Sequence, residues 1–276
     1  MLSLTQLLIA LPLALTVSTL GTLAGIGGGV FMVPLLVYGF GIPLKEAIAA
    51  ITFCLLPAAL LSTYFNARLK SIDYFAGITL EIPTIIGAIG GAILINHLPV
   101  LPLKILFCGL IFFMARKMLS PAQAENTLVH QLNTLPPIIK RKDYTVSLSA
   151  LSFIGLFSGV IAGLFGIGGG IVKTPVMIHI FRMPPKRATA TALFMIVFTS
   201  LSASISHWSF GRLHWDLALP ISLGFLAGSL VGNKINSRIA PEKIKLILGW
   251  MMLLAGIFIL TNSVFEVILG QKPSLE

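Results

Sequence analysis

Lys173 follows Gly166-Ile-Gly-Gly-Gly170 inside a stretch that is otherwise apolar. An ammonium at membrane depth costs roughly 2.5 kcal/mol or more, so it calls for an anionic partner. The glycines point the same way. Each costs roughly 1 kcal/mol relative to alanine in a helix, so the helix should break here. The short helix that restarts near Gly170 would then offer backbone N–H groups and the positive end of its dipole to an anion. Lys173 and Thr174 would stand in its first turn. The other reading of Lys173 is a stem that snorkels to an interface.

The run occurs twice. Gly25-Ile-Gly-Gly-Gly29, followed by Pro34, is repeated 141 positions later by Gly166 to Gly170, followed by Pro175. Three consecutive glycines exceed what close packing requires, so exposed backbone is expected at both breaks. The candidate anion-binding residues are therefore Gly27, Gly28, Gly29, Gly168, Gly169, Gly170, Lys173 and Thr174. Neutral donors on the next helix join them: Thr189 and Thr191 near its start, and His207 after Ser200, Ser202, Ser204 and Ser206. Hydroxyls in such helices also bond back to their own carbonyls. Met32 stands at the position equivalent to Lys173, so the site should be asymmetric. Glu81, about a third of the way into a predicted span and equivalent to Ser222, is the candidate for coupling a proton or neutralising Lys173. Gly87 with Gly91, and Gly228 with Gly232, have G-x-x-x-G spacing and read as helix-packing positions.

Other chemistries lack their residues. Val172, not glycine, precedes Lys173-Thr174, and Gly25-Ile-Gly-Gly-Gly-Val30 lacks the last glycine of a dinucleotide fingerprint, so no nucleotide cofactor is expected. His179 and His207 are isolated, and no Cys/His cluster or H-E-x-x-H occurs, so no metal is expected. Cys54 and Cys108 lie in predicted spans and read as packing residues.

The elements that must position these residues are membrane helices. Apolar residues make up 56% of the 276 positions, charged residues 10%, and mean hydropathy is +0.97. Charge-free windows such as 47–65, 146–171 and 246–260 include several of the roughly 18 residues or more needed to span ~30 Å of hydrocarbon. The formal charge of +10 comes from basic residues flanking these spans, where they set orientation, so no nucleic-acid partner is expected. No basic stretch precedes the first apolar run, which leads into the first glycine break; a retained helix is expected there, not a cleaved signal.

Helices are expected at about 3–24, 30–40, 44–66, 73–96 and 102–117, and again at 144–165, after the second break to 181, and at 186–210, 214–236 and 241–264. Residues 1–119 then form a first transmembrane repeat, 120–143 an aqueous linker, 144–268 a second repeat and 269–276 a tail. The 141-residue register pairs Pro43 with Pro184, Lys45 with Lys186, Phe53 with Phe194 and Lys104 with Lys245, without a gap. Such duplication is common in secondary transporters.

The direction of each half follows from counting the basic residues. If each glycine-broken pair counts as two passes, one face holds Arg68, Lys70, Arg116, Lys117, Lys140, Arg141, Lys142, Arg182, Lys186, Arg187, Lys234, Arg238, Lys243 and Lys245. The other holds only Lys45, Lys104, Arg212 and Lys272. If the pair makes one pass, the same residues divide nine against nine. The bias favours an odd number of segments per half, with the rich face cytoplasmic. The expected fold is an all-α polytopic membrane protein of two inverted repeats of about five helical segments each. Both termini would lie outside and the linker in the cytoplasm. A small anion would bind between the halves, with lipid around them and self-association left open.

The doubled glycine run with its downstream proline, the Pro-Lys that follows, and Gly211-Arg-Leu-His-Trp215 resemble the TauE/SafE family, the sulfite exporter or TSUP permeases. Both halves resemble it, over about 220 of the 276 residues. Pro184-Pro-Lys-Arg-Ala-Thr-Ala-Thr-Ala-Leu193 is similar to the family's P-P-K-x-A-x-G-T-S-L, with Thr191 at its threonine. The first half has Ala49-Ala-Ile51 in that place, and Tyr74 where the second half has Trp215. The resemblance implies transport of sulfite, thiosulfate or an organosulfonate across a bacterial cytoplasmic membrane. An anion channel is the alternative, and an intramembrane enzyme or assembly factor a weaker one, with Ser206-His207 its only adjacent catalytic pair.

Overall fold

A computed structural model describes residues 4–95, 97–120, 138–140, 145–179, 181 and 183–236, with 246, 249–250, 252–254, 256–258 and 260–261. Most of the expected linker, much of the last expected helix and the tail at 269–276 lie outside the described residues.

The first half begins with α1 (Leu4–Ala24), breaks at the glycines, and restarts as α2 (Gly29–Pro34), which continues as a π-helical turn, Leu35–Gly39. Helices α3 (Leu44–Arg68), α4 (Tyr74–Leu94) and α5 (Val100–Leu119) follow. Strands β1 (Ile138–Lys140) and β2 (Thr145–Ser147) pair antiparallel, with Ile138 opposite Ser147. The second half contains α6 (Leu148–Phe165), the second break, α7 (Gly170–His179), α8 (Pro185–Ser209) and α9 (Trp215–Asn236). The helix expected from Tyr144 starts at Leu148. Ser147 is extended, and its side chain accepts a hydrogen bond from the Ala150 amide at 3.2 Å, which caps the first turn. Helices α1, α3, α4, α6, α8 and α9 are long and apolar enough to cross a membrane. The molecule is an all-α polytopic membrane protein, apart from that small ribbon.

On α4, one face carries Ile78, Ile82, Ile86, Ile89 and Ile93, all exposed, where lipid is the solvent. The other face carries Gly87, Ala88, Gly91 and Ala92, which let α6 approach. A Cβ on Gly159 would lie 2.1 Å from the Thr84 carbonyl oxygen, and one on Gly87 2.2 Å from that of Leu156. Backbone-to-backbone contact of this kind is what small residues provide between membrane helices.

These contacts also fix directions. Along α4 and α6, Leu80 meets Gly155, Thr84 meets Gly159 and Ala88 meets Gly163; along α1 and α9, Leu11 meets Gly224, Leu15 meets Gly228 and Thr19 meets Gly232. Both pairs are therefore parallel. Helix α3 runs with α9, since Phe53 packs on Trp215 and Asn66 reaches Asn233. Helix α8 runs with α4, since Tyr74 packs on Phe194 and Thr199 reaches Glu81. Residues 69–73 join α3 to α4. So short a connection cannot recross the bilayer, so α3 and α4 are opposed. Helices α1, α3 and α9 thus point one way, and α4, α6 and α8 the other. The first helices of the two halves, α1 and α6, are opposed.

Contacts across the bundle recur with their partners exchanged. Phe53 meets Trp215 edge to face at 5.2 Å, and Tyr74 meets Phe194 at 5.3 Å. His214 lies 3.6 Å from Glu46, and Arg187 lies 3.6 Å from Asp73. Each second pair is the first shifted by 141 positions with the halves swapped. Each half thus presents equivalent positions to the other.

Candidate functional site

Both breaks lie in the middle of the bundle and face each other. Backbone φ is positive at Gly25, Gly27 and Gly28, and at Gly166, Gly168 and Gly169, a conformation that side chains disfavour. Gly29 and Gly170 are different: they open α2 and α7 with ordinary backbone, and they are small because the other break is close. A Cβ on Gly29 would stand 2.6 Å from the Gly166 carbonyl oxygen, and one on Gly170 2.6 Å from that of Gly25. The Thr174 hydroxyl donates to the Gly25 carbonyl at 2.8 Å and ties the breaks together. Leu55 and Ile196, equivalent positions on α3 and α8, close over Gly27 and Gly168. All six candidate glycines are buried.

Lys173 is 0% exposed, so its stem does not snorkel to an interface. It folds back over Gly169, where a Cβ would stand 3.1 Å from Lys173 Cε. Its Nζ donates to Glu81 Oε2 at 2.6 Å and to Thr199 Oγ1 at 2.7 Å. Thr199 Oγ1 donates in turn to Glu81 Oε1. One hydroxyl accepting from the ammonium and donating to the carboxylate uses its hydrogen-bonding capacity consistently. Helix α7 thus brings the ammonium, α4 the carboxylate and α8 the hydroxyl, and charge and counter-charge share one ring of contacts.

The positions equivalent to Lys173, Glu81 and Thr199 in the other half are Met32, Ser222 and Ala58. Met32 is fully buried, and Ser222 bonds back to the Leu219 carbonyl at 2.7 Å. The contacts between the halves come in exchanged pairs, but the ion pair has no such counterpart at the equivalent positions.

The other candidates lie at different depths. Thr189 packs against Gly25 in the second turn of α8, its hydroxyl donating to the Lys186 carbonyl at 3.0 Å. Thr191 Oγ1 accepts from the Asp73 amide at 2.9 Å, which fixes the start of α4. His207 is buried near the far end of α8, eight residues beyond Thr199, or about 12 Å at 1.5 Å per residue. Thr199 does not stand out in the sequence, where it is one of several hydroxyl residues along α8. Its signal is indirect: Lys173 and Glu81 both need a neutral partner. Among the described residues no group of three His, Cys, Asp or Glu is gathered that could hold a metal ion.

Residues 10–259 match the family described as sulfite exporter TauE/SafE. A probable membrane transporter protein of Methanocaldococcus jannaschii is 29% identical over 274 residues, covering 92% of this chain and 97% of that protein. The probable membrane transporter protein YunE of Bacillus subtilis is 27% identical over 270 residues, covering 92% of this chain and 97% of its own. A shorter match, 30% identical over 122 residues, covers 42% of this chain and 27% of the sulfite exporter TauE/SafE family protein 1 of Arabidopsis thaliana. No solved structure matches the chain at a significant level.

Proposed function

The chain belongs to the sulfite exporter TauE/SafE family, and from that premise we propose that it is a secondary transporter moving a small sulfur-containing anion across the bacterial cytoplasmic membrane by alternating access. Sulfite, thiosulfate and organosulfonates are the substrate class. The observation that carries this reading is the buried Lys173–Glu81 pair beside the second glycine break. A pair held at that depth by direct contact is an exchange site. An anion takes the place of Glu81 on Lys173, and Glu81 accepts a proton, so that no lone carboxylate is stranded in a dry interior, which would cost several kcal/mol by the usual ~3–5 kcal/mol measure for a broken buried pair. Thr199, which touches both partners, can donate to the anion or to the carboxylate. The breaks at Gly27 to Gly29 and Gly168 to Gly170, with Thr174, offer helix-end N–H groups as the halves move apart.

In this proposal the halves are inverted repeats, and the opposed directions of α1 and α6 support that. Arg68, Lys70, Lys186, Arg187 and Lys234 mark the cytoplasmic face, against Lys45 and Arg212 on the other. The test is uptake of labelled sulfite, thiosulfate and sulfonates into proteoliposomes. Saturable uptake with counterflow, lost in Lys173→Met, is expected. Flux that rises without saturation would make the protein a channel, and no flux of any of these anions would remove the reading.

A further inference from the structure

Contacts between the halves come in exchanged pairs, so a polar group partnered in one copy and unpartnered in the other marks a divergence between them. At the end of α3, Asn66 Nδ2 donates to Asn233 Oδ1 at 3.3 Å, and Asn233 Nδ2 donates to Ser62 Oγ at 2.9 Å. These bonds latch α3 to α9 at the face rich in basic residues. The equivalent positions at the opposite face are His207, Ala92 and Ala203. An imidazole has replaced the amide, and both of its expected partners are alanines.

His207 is 0% exposed. Among the described residues neither of its ring nitrogens has a partner in hydrogen-bond geometry, although the Gly163 backbone is close by. The Ser204 Oγ, one turn earlier, and Nη1 of Arg212 are buried and unpartnered as well. At the position equivalent to Ser204, Thr63 has only a lone hydroxyl in that condition. The Arg212 amide donates to the His207 carbonyl at 3.1 Å, which folds the connection 210–214 over the end of α8. Its guanidinium stands 5.2 Å from the centroid of the Phe210 ring. Burial pulls the Arg212 side chain below its ordinary pKa, because removal from water disfavours its charged form. Buried polar atoms in native proteins are nearly always hydrogen-bonded. Four unpartnered atoms within nine positions, on a guanidinium, an imidazole and a hydroxyl, leave hydrogen-bonding capacity that the neighbouring side chains do not fill.

We propose that Ser204, His207 and Arg212 form a receiving station for a small oxyanion at the face opposite the basic one, from which the anion passes along α8 to Lys173. This rests on the transport reading, as an earlier stop for the same anion. The latch of Ser62, Asn66 and Asn233 closes the corresponding place at the other face, so the two ends of the path are unequal by construction.

The station can be read without transport. Ser204→Cys is introduced in the full chain, purified in detergent, with the parent protein as blank because Cys54 and Cys108 are buried. The new thiol is challenged with a methanethiosulfonate bearing either an ethylsulfonate or an ethyltrimethylammonium group. The anionic reagent should react at least about tenfold faster, the low end of what a focused field provides. Methanesulfonate should slow it, and Arg212→Gln should abolish the preference. Ala92→Asn restores the amide partner of the other copy and should suppress the labelling. Equal rates, a preference for the cationic reagent, or a thiol that reacts with neither would overturn the proposal and leave a sealed, water-filled void. Charge-selective, protectable labelling in a protein that moves no anion would keep the station and remove the transporter.

Discussion

At the scale of single residues, the ion pair separates stability from function. Lys173→Met strands Glu81 and Glu81→Gln strands Lys173, both in a closed interior, and breaking such a pair from one side costs about 3–5 kcal/mol. Each single variant should melt well below the parent. The double variant Lys173→Met with Glu81→Gln removes both charges, so it should recover most of that loss while remaining unable to take up anion. Thermal melts in detergent beside uptake in liposomes check this; a double variant that melts as low as the sum of the singles would show that packing, not charge, holds the site. Thr199→Val keeps the shape and removes a hydroxyl shared by both partners, for an expected loss of about 1–3 kcal/mol. That Lys173 needed an acid was legible, because an ammonium beside a glycine break in apolar sequence is too costly to stand without a counter-charge, and Glu81 was the carboxylate inside a span. Thr199 was not legible. Positions 199, 200, 202, 204 and 206 all carry hydroxyls, and only the rotation of α8 against α4 decides which one meets Lys173.

At the scale of elements, the glycines divide into those that turn the chain and those that admit a neighbour. Four glycines in five residues announced a break in each half, and the positive φ angles at Gly25, Gly27 and Gly28 and at their equivalents are that break. Which glycine served close approach instead was not legible, since Gly29 and Gly170 have ordinary φ and are crowded most closely by the backbone of the break in the other half. Gly29→Ala and Gly170→Ala should each cost about 1–3 kcal/mol, the usual penalty for overpacking a core, because the new methyl meets a carbonyl oxygen that cannot rotate away. Gly90, on α4, is the control. It has nothing within 4 Å of its would-be Cβ, so Gly90→Ala should raise the melting temperature, by up to about 1 kcal/mol in stability. The G-x-x-x-G pairs were legible as packing sites, but their partners, α6 for Gly87 and α1 for Gly228, lie in the opposite half and had no local signal.

At the scale of the molecule, the distribution of basic residues and the packing of the helices bear on direction independently. Counting basic residues favoured an odd number of segments per half, because the even count left the two faces equally charged. The helix contacts use no charge at all: parallel pairs α4 with α6 and α1 with α9, together with the short connection 69–73, oppose α1 to α6. Both place the start of α6, the start of α8 and the connection 69–73 on one face, and 41–43 and 210–214 on the other. The prediction is that cysteines at Ser71 and Pro184 share one pattern of labelling by an impermeant maleimide, protected in intact cells and exposed in inverted vesicles. Cysteines at Gly41 and Gly211 should show the reverse. Labelling of Ser71 and Pro184 from opposite sides would mean that the halves point the same way. The exchanged contacts Asp73 with Arg187 and Glu46 with His214 would then have to lie on one face, which the single short connection between α3 and α4 does not allow.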